Sequence, residues 1–124
     1  MRQLQVYLGS SPVVLLGALL LSGCTVDKEV FPTKAANALC PQYKKCQLGY
    51  FESVFGDMAT CKSDMNVYAE DLVYVMENGL ACTYDEVEAT KCLNEISSMS
   101  CEEFYDTSTV ELACMNAFTG CIEQ

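Results

Sequence analysis

Cysteine restricts the fold of this chain more than any other residue. The 124 residues contain nine cysteines, a density at which disulfides or metal-bound thiolates shape the whole structure. The chain has no histidine and no Cys-x-x-Cys pair, although zinc sites and c-type haem attachment use those groups. The pattern therefore favours disulfides in an oxidising compartment, within a single small domain.

Residues 1–23 have the features of an export signal. Arg2 supplies a positive start, and a nine-residue apolar stretch runs from Val13 to Leu21. This stretch has the length of a signal's apolar core and is far shorter than the about 20 residues that span a bilayer. The tetrad Leu21-Ser22-Gly23-Cys24, at its end, resembles the lipobox of bacterial lipoproteins.

The lipobox resemblance implies that residues 1–23 are removed and that Cys24 carries lipid. A protein with two or more acyl chains is held stably on a bilayer, whereas one chain binds only marginally. The implied location is the cell envelope, and Thr25 in place of an aspartate favours the outer membrane of a Gram-negative bacterium. The alternative is an uncleaved membrane helix in which Cys24 occurs by chance.

Setting Cys24 aside leaves an even number of cysteines. They predict four disulfides, and they are Cys40, Cys46, Cys61, Cys82, Cys92, Cys101, Cys114 and Cys121. A bridge that closes a loop of about 15 residues contributes about 3 kcal/mol, so four bridges would dominate the stability of so small a domain. Eight cysteines allow about 105 connectivities. We favour two pairs: Cys46 with Cys61 across a turn, and Cys92 with Cys114 between two helices.

Apolar residues at helical spacing predict an all-α domain of three to five helices over residues 34–124. Residues 24–33 lack this spacing and are predicted to form a flexible tether. Thr33 is the expected cap of a first helix that runs through Cys46 and ends at Gly49. Pro41 lies inside this helix and is expected to kink or split it.

A second helix is predicted to run from Asp57, as its N-cap, to the stop signal Asn78-Gly79. Two alternatives concern its second half. A helix of this length spans about 30 Å, so a break between Tyr68 and Asp71 is one of them. The other is a strand over Leu72–Met76, although such a strand has no obvious partner.

Three capping boxes follow, and they are Thr83–Glu86, Ser100–Glu103 and Ser108–Glu111. In a capping box the hydroxyl and the carboxylate each bond to an amide that the start of a helix leaves exposed. The three boxes predict three more helix starts, the last in a helix that Gly120 closes. So many helix starts in a short span argue against a β fold.

Two short segments carry a further resemblance. They are Phe55–Cys61 (FGDMATC) and Ser100–Phe104 (SCEEF), and spaced cysteines lie between them. Together they look like a group of uncharacterised cysteine-rich exported proteins from myxobacteria and their relatives. The resemblance implies a source and an exported protein, and it implies no activity.

Composition excludes several functions. Without the leader, six lysines face seventeen acidic residues, a formal charge of −11. No surface of such a chain could neutralise the phosphates of a nucleic acid, and the charge favours a soluble monomer. A serine nucleophile would have no histidine to activate it. The sequence also has no metal or cofactor motif, so no cofactor is predicted.

Neighbouring carboxylates offer the only route to catalysis. The candidates are Glu70 with Asp71, Glu102 with Glu103, and the group Asp85, Glu86 and Glu88. Adjacent residues on a helix point about 100° apart, so such pairs do not naturally converge on one substrate. A carboxylate-based hydrolase is kept as an alternative, and it needs a pocket with two carboxyl groups about 5–9 Å apart.

Aromatic residues give the only hint of an interaction surface. Tyr50 and Phe51 would form a partner-binding patch if they were exposed together, although a small domain uses most of its large apolar side chains in the core. We therefore expect a lipid-anchored cell-envelope protein that is not an enzyme and has a binding or structural role, with an envelope protein as a possible partner. A secreted inhibitor or effector is the alternative.

Overall fold

The structure is a computed structural model that describes residues 25–122, with the backbone alone for residues 107, 111 and 112. The leader and Cys24 lie outside these residues. The helices are α1 (Phe31–Cys46), α2 (Leu48–Val54), α3 (Met58–Tyr74), a π-helical turn (Val75–Gly79), α4 (Glu86–Ser98), α5 (Cys101–Tyr105) and α6 (Thr107–Met115). Two short strands, β1 (Thr83–Tyr84) and β2 (Phe118–Thr119), complete the fold. The predicted all-α class is confirmed.

Helix α1 begins earlier than predicted. Its N-cap position is Val30 and not Thr33. The helical winding starts at a turn in which the carbonyl oxygen of Asp27 accepts from the amides of Val30 (3.1 Å) and Phe31 (3.0 Å). The helix continues through Pro41. It ends at Cys46, and Gly49 lies inside the next helix, α2, so the predicted end at Gly49 is wrong.

The core lies where α1 packs against α3 and α4. Several alanines lie among the buried residues of these helices. Its main members are Phe31, Ala35, Ala38, Ala69, Val73, Ala89, Leu93, Ile96, Phe104 and Phe118. A second, smaller cluster joins α2 to α1 and α3, and it consists of Cys40, Phe51, Phe55 and Cys61.

Helix α3 starts as predicted. The Asp57 carboxylate accepts a hydrogen bond from the amide of Thr60 at 2.7 Å, which makes Asp57 the N-cap. The helix runs without a break to Tyr74 and passes directly into the π-helical turn that ends at Gly79. The alternative strand over Leu72–Met76 is therefore wrong, since the backbone hydrogen bonds of this segment are helical.

Only one of the three predicted capping boxes forms. Ser100 and Glu103 cap α5 reciprocally. Helix α4 is capped instead by Asp85, whose carboxylate accepts from the amide of Glu88 (3.0 Å). Helix α6 is capped by Asp106. The predicted hydroxyl caps of α4 and α6 are therefore wrong. At the start of each of these helices a nearby aspartate is the N-cap instead, because carboxylates are as good N-caps as hydroxyls.

Residues Thr83 and Tyr84 form β1 rather than a helix start. They pair antiparallel with β2 in the register Thr83 with Thr119 and Tyr84 with Phe118. Helix α6 accordingly ends at Met115, before β2, and the predicted continuation to Gly120 is wrong. Gly120 has a φ of +63° and turns the chain after β2.

The predicted flexible tether is wrong for residues 26–33. We call Thr25–Val30 the N-terminal strap. The amide of Val26 donates to the Thr90 hydroxyl (3.0 Å), and its carbonyl accepts from the Tyr84 hydroxyl (2.7 Å). The Lys28 ammonium pairs with the Glu77 carboxylate at 3.1 Å. Phe31, which follows the strap, is 2% exposed. The folded part therefore begins at Val26. Residues 26–33 lack helical spacing of apolar residues, but the burial of Phe31 and the hydrogen bonds of the strap hold them against the rest of the domain.

Three disulfides join helices, and a fourth, Cys82–Cys121, joins the segments that flank the two short strands. The four bridges are Cys40–Cys61, Cys46–Cys101, Cys82–Cys121 and Cys92–Cys114. The predicted pair between α4 and α6, Cys92–Cys114, is confirmed, and the pair Cys46–Cys61 is wrong. Cys40 and Cys46 are six residues apart on α1, which places them about 240° apart around the helix. Cys40 faces α3, whereas Cys46 faces α5.

Candidate functional site

The predicted patch of Tyr50 and Phe51 does not form. Phe51 is 3% exposed and packs with Phe55 in the smaller core cluster, whereas Tyr50 is 48% exposed. Consecutive residues on α2 point about 100° apart, so one ring enters the core and the other stays at the surface. The proposed pairing of the two rings is therefore wrong.

Tyr50 instead contributes to a cavity of about 500 Å³, which we call the tyrosine cavity. Four aromatic rings line it, and they are Tyr43, Tyr50, Tyr68 and Phe104. The aliphatic part of the wall comes from Leu39, Met65 and Val110, and Gln47 adds one amide. Residues from α1, α2, α3, α5 and α6 meet here, which is why no local sequence pattern predicts the cavity.

Tyr43 is the centre of the aromatic cluster. Its ring lies edge-on to Phe104, with the two centroids 5.0 Å apart, and 5.6 Å from the ring of Tyr50. Phe55 supports it from the core side at 5.8 Å. Edge-on and tilted aromatic pairs are favourable because the positive edge of one ring meets the negative face of another. Tyr43 is thus a half-buried wall of the cavity, and Tyr50 and Tyr68 form its exposed rim.

The frame around Tyr43 is tightly held. Gln42, the residue before it, is buried, and its amide donates to the carbonyl oxygens of Ile96 (2.6 Å) and Met99 (2.9 Å) at the end of α4. The Cys46–Cys101 bridge lies one turn further along α1 and ties it to α5, which carries Phe104. The helices that carry Tyr43 and Phe104 are therefore joined covalently close to the two rings.

The cavity is uncharged. Its lining contains no acidic or basic side chain, and burial, with a smaller contribution from the nearby phenols of Tyr50 and Tyr68, raises the pKa of the Tyr43 phenol. The hydroxyls of Tyr84 and Tyr105 donate to backbone carbonyls. Within residues 25–122, the three cavity hydroxyls make no comparable bond. The site therefore presents neutral hydrogen-bonding groups beside aromatic faces.

Several of the predicted carboxylates have capping or ion-pair partners. Asp85 and Glu103 are helix caps, and Glu88 pairs with Lys91 at 2.9 Å. Glu70 and Asp71 lie exposed on α3. The structure does bring Glu95 and Glu103 to the wall of one cavity of about 530 Å³, a pair that the sequence did not indicate. The Glu103 carboxylate accepts from the Ser100 hydroxyl there at 2.8 Å, so capping explains its position.

Two general features also bear on function. Within the described part of the chain, no group of three or more acidic or cysteine side chains is arranged to hold a metal ion. Of the helices between residues 25 and 122, none has both the length and the apolar character needed to cross a bilayer.

No protein family, curated protein or solved structure was found to match the chain.

Proposed function

We propose that this is a lipid-anchored protein of the bacterial cell envelope that binds a ligand in the tyrosine cavity. One observation carries the anchor. The four bridges use all eight cysteines of the described residues. The ninth, Cys24, is the cysteine of the lipobox-like tetrad. Because the eight described cysteines pair with one another, none of them is left to bond to Cys24, and this supports lipid attachment at Cys24.

The N-terminal strap supports attachment close to the membrane. Val26 is hydrogen-bonded on both sides to the domain, so only Thr25 separates Cys24 from the folded part. Lipid on Cys24 would hold the domain against the bilayer without an intervening linker. Tyr43 follows Phe31 by twelve residues, which is about 18 Å along α1. The tyrosine cavity thus lies at the opposite end of α1 from the N-terminal strap, on the side that an anchor at Cys24 would leave open to a ligand.

Charge supports lipid rather than the protein surface as the anchor. The carboxylates of Glu86, Asp27, Glu29 and Asp85 lie close enough to Tyr84 to raise the pKa of its phenol, and burial raises it more. The strap end of the domain is therefore acidic. Anionic lipid head groups repel such a surface, so acyl chains are needed to keep it on a bilayer. The same charge favours a monomer.

The experiment is the intact mass of protein extracted from membranes, measured with and without prior reduction. We expect a chain that begins at Cys24, carries acyl groups and gains eight hydrogens on reduction. Cys24→Ala should move the protein out of the membrane fraction, whereas the matched variant Thr25→Ser should stay in it. A Cys24→Ala protein that remains in membranes after a high-salt wash would overturn the anchor. An unlipidated population in the culture medium would favour the secreted inhibitor or effector.

A further inference from the structure

We infer that the tyrosine cavity binds a neutral carbohydrate, with a sugar ring placed against its aromatic lining, in which the rings of Tyr50 and Tyr68 are exposed. This inference rests on the proposed binding role and names the chemical class of the ligand. The volume of about 500 Å³ is within the about 300–1,000 Å³ typical of sites for small ligands. Such sites combine apolar and aromatic walls with a few polar groups that fix orientation, as this cavity does.

The lining matches the two surfaces of a sugar. A pyranose ring has an apolar face of C–H groups, and the negative face of an aromatic ring attracts those hydrogens. Hydroxyls surround the ring, and each of them both donates and accepts. The phenols of Tyr43, Tyr50 and Tyr68 also donate and accept, and the Gln47 amide does both. The cavity supplies these groups next to its aromatic walls.

The lining argues against the other ligand classes. No cationic side chain lines the cavity, and the chain is strongly acidic, so an anion has no partner. A purely apolar ligand would cover the phenol hydroxyls and the Gln47 amide without bonding them, which costs free energy. A quaternary ammonium is attracted by aromatic faces, but it would leave the same polar groups unpaired. The hydroxyls of a neutral polyhydroxyl ligand can both donate to and accept from these groups.

The test uses the lipidated full chain in a polyoxyethylene detergent, whose head group contains neither sugar nor choline. Calorimetric titrations with cellotriose, maltotriose, tri-N-acetylchitotriose and choline chloride supply the probes. We expect at least one trisaccharide to bind. Tyr50→Ala should weaken that binding at least tenfold, and Tyr68→Phe, which removes only a hydroxyl, should weaken it severalfold. Tyr74→Ala is the matched control, because Tyr74 is 68% exposed on α3 and does not line the cavity.

The outcomes separate the two proposals. Choline binding that Tyr50→Ala abolishes, without saccharide binding, would overturn the carbohydrate inference and keep the cavity as a binding site. Saccharide binding that Tyr50→Ala and Tyr74→Ala leave unchanged would place the sugar elsewhere and also overturn the inference. If none of the four probes binds, the binding role proposed for the cavity fails. The mass and fractionation experiment tests independently whether lipid on Cys24 anchors the protein. Circular dichroism of each variant confirms that it is folded.

Discussion

Cys46, at the end of α1, is bonded to Cys101, at the start of α5, with their α-carbons 5.1 Å apart although 55 residues separate them in sequence. This bridge closes the longest loop of the four. In the chain-entropy description of disulfides, a bridge that closes a loop of this length adds about 4 kcal/mol to the free energy of unfolding, because it restricts the unfolded chain. It also fixes α5 against α1 and thereby holds two walls of the tyrosine cavity together.

The connectivity can be tested by counting thiols in paired variants. Cys46→Ala with Cys101→Ala removes one native bridge, so alkylation without reduction should label no cysteine of the other six in residues 25–122. Cys46→Ala with Cys61→Ala breaks two bridges and should leave Cys40 and Cys101 open to alkylation. Mass spectrometry reads both results. The reverse outcome, two labels in the first variant and none in the second, would show that Cys46 pairs with Cys61.

Patterns that are local in sequence predicted the fold best. The carboxylate of Asp57 and the Ser100–Glu103 box act within one helical turn, and both caps are confirmed. Their partners lie three residues away, so the chain alone determines the contact. The failed capping boxes show the limit of this reasoning. Thr83 and Asp85 both precede α4, and the pairing of Thr83 with Thr119 decided between them.

Contacts between distant segments could not be predicted. Phe31 stands in a stretch without helical spacing, yet its ring packs on Tyr84 and Phe118, more than fifty residues away. The tyrosine cavity has the same origin, since Tyr50 and Phe104 meet only through the packing of α2 and α5 on α1. Periodicity gives the face that a residue occupies on its own helix, and it gives no information about which element covers that face.

Truncation of Val30, the last residue of the N-terminal strap, and of Phe31, which follows it, should affect stability unequally. Phe31→Ala should lower the free energy of unfolding by about 3–5 kcal/mol, as expected for a buried phenylalanine. Val30→Ala, at a residue that is 44% exposed, should change it by less than about 0.5 kcal/mol. Urea denaturation followed by circular dichroism measures both. A flexible tether through Thr33 would instead make both substitutions neutral.

The side-chain amide of Gln42 should contribute measurably to the free energy of unfolding. It donates to the carbonyl oxygens of Ile96 and Met99, and without it the Met99 carbonyl, which follows the end of α4, would lose a buried partner. Gln42→Leu keeps the volume and removes the donors, so we expect a loss of about 1–3 kcal/mol. Gln47→Leu makes the same chemical change at a half-buried residue and serves as the control. Equal urea midpoints for the two variants would refute a structural role for the Gln42 amide.

Tyr84 should make the stability fall at alkaline pH. Its hydroxyl donates to the Val26 carbonyl at 2.7 Å, and burial together with nearby carboxylates, Glu86 first, raises the pKa of its phenol. An unfolded tyrosine ionises at about pH 10, whereas the folded one keeps its proton to higher pH. The unfolded state therefore binds fewer protons above about pH 10, and stability falls as pH rises.

The variant Tyr84→Phe isolates this effect. It lacks the ionising group, so its free energy of unfolding should decrease less than that of the wild type between about pH 9 and pH 12. At neutral pH it should be less stable by about 0.5–1.5 kcal/mol, because the Val26 carbonyl loses its partner. Burial also raises the pKa of the Tyr43 phenol, so the Tyr84→Phe variant should still lose some stability at alkaline pH. Tyr74→Phe, the same change at an exposed residue, is the control and should follow the wild type. Parallel curves for Tyr84→Phe and the wild type would mean that the Tyr84 hydroxyl does not hold the strap.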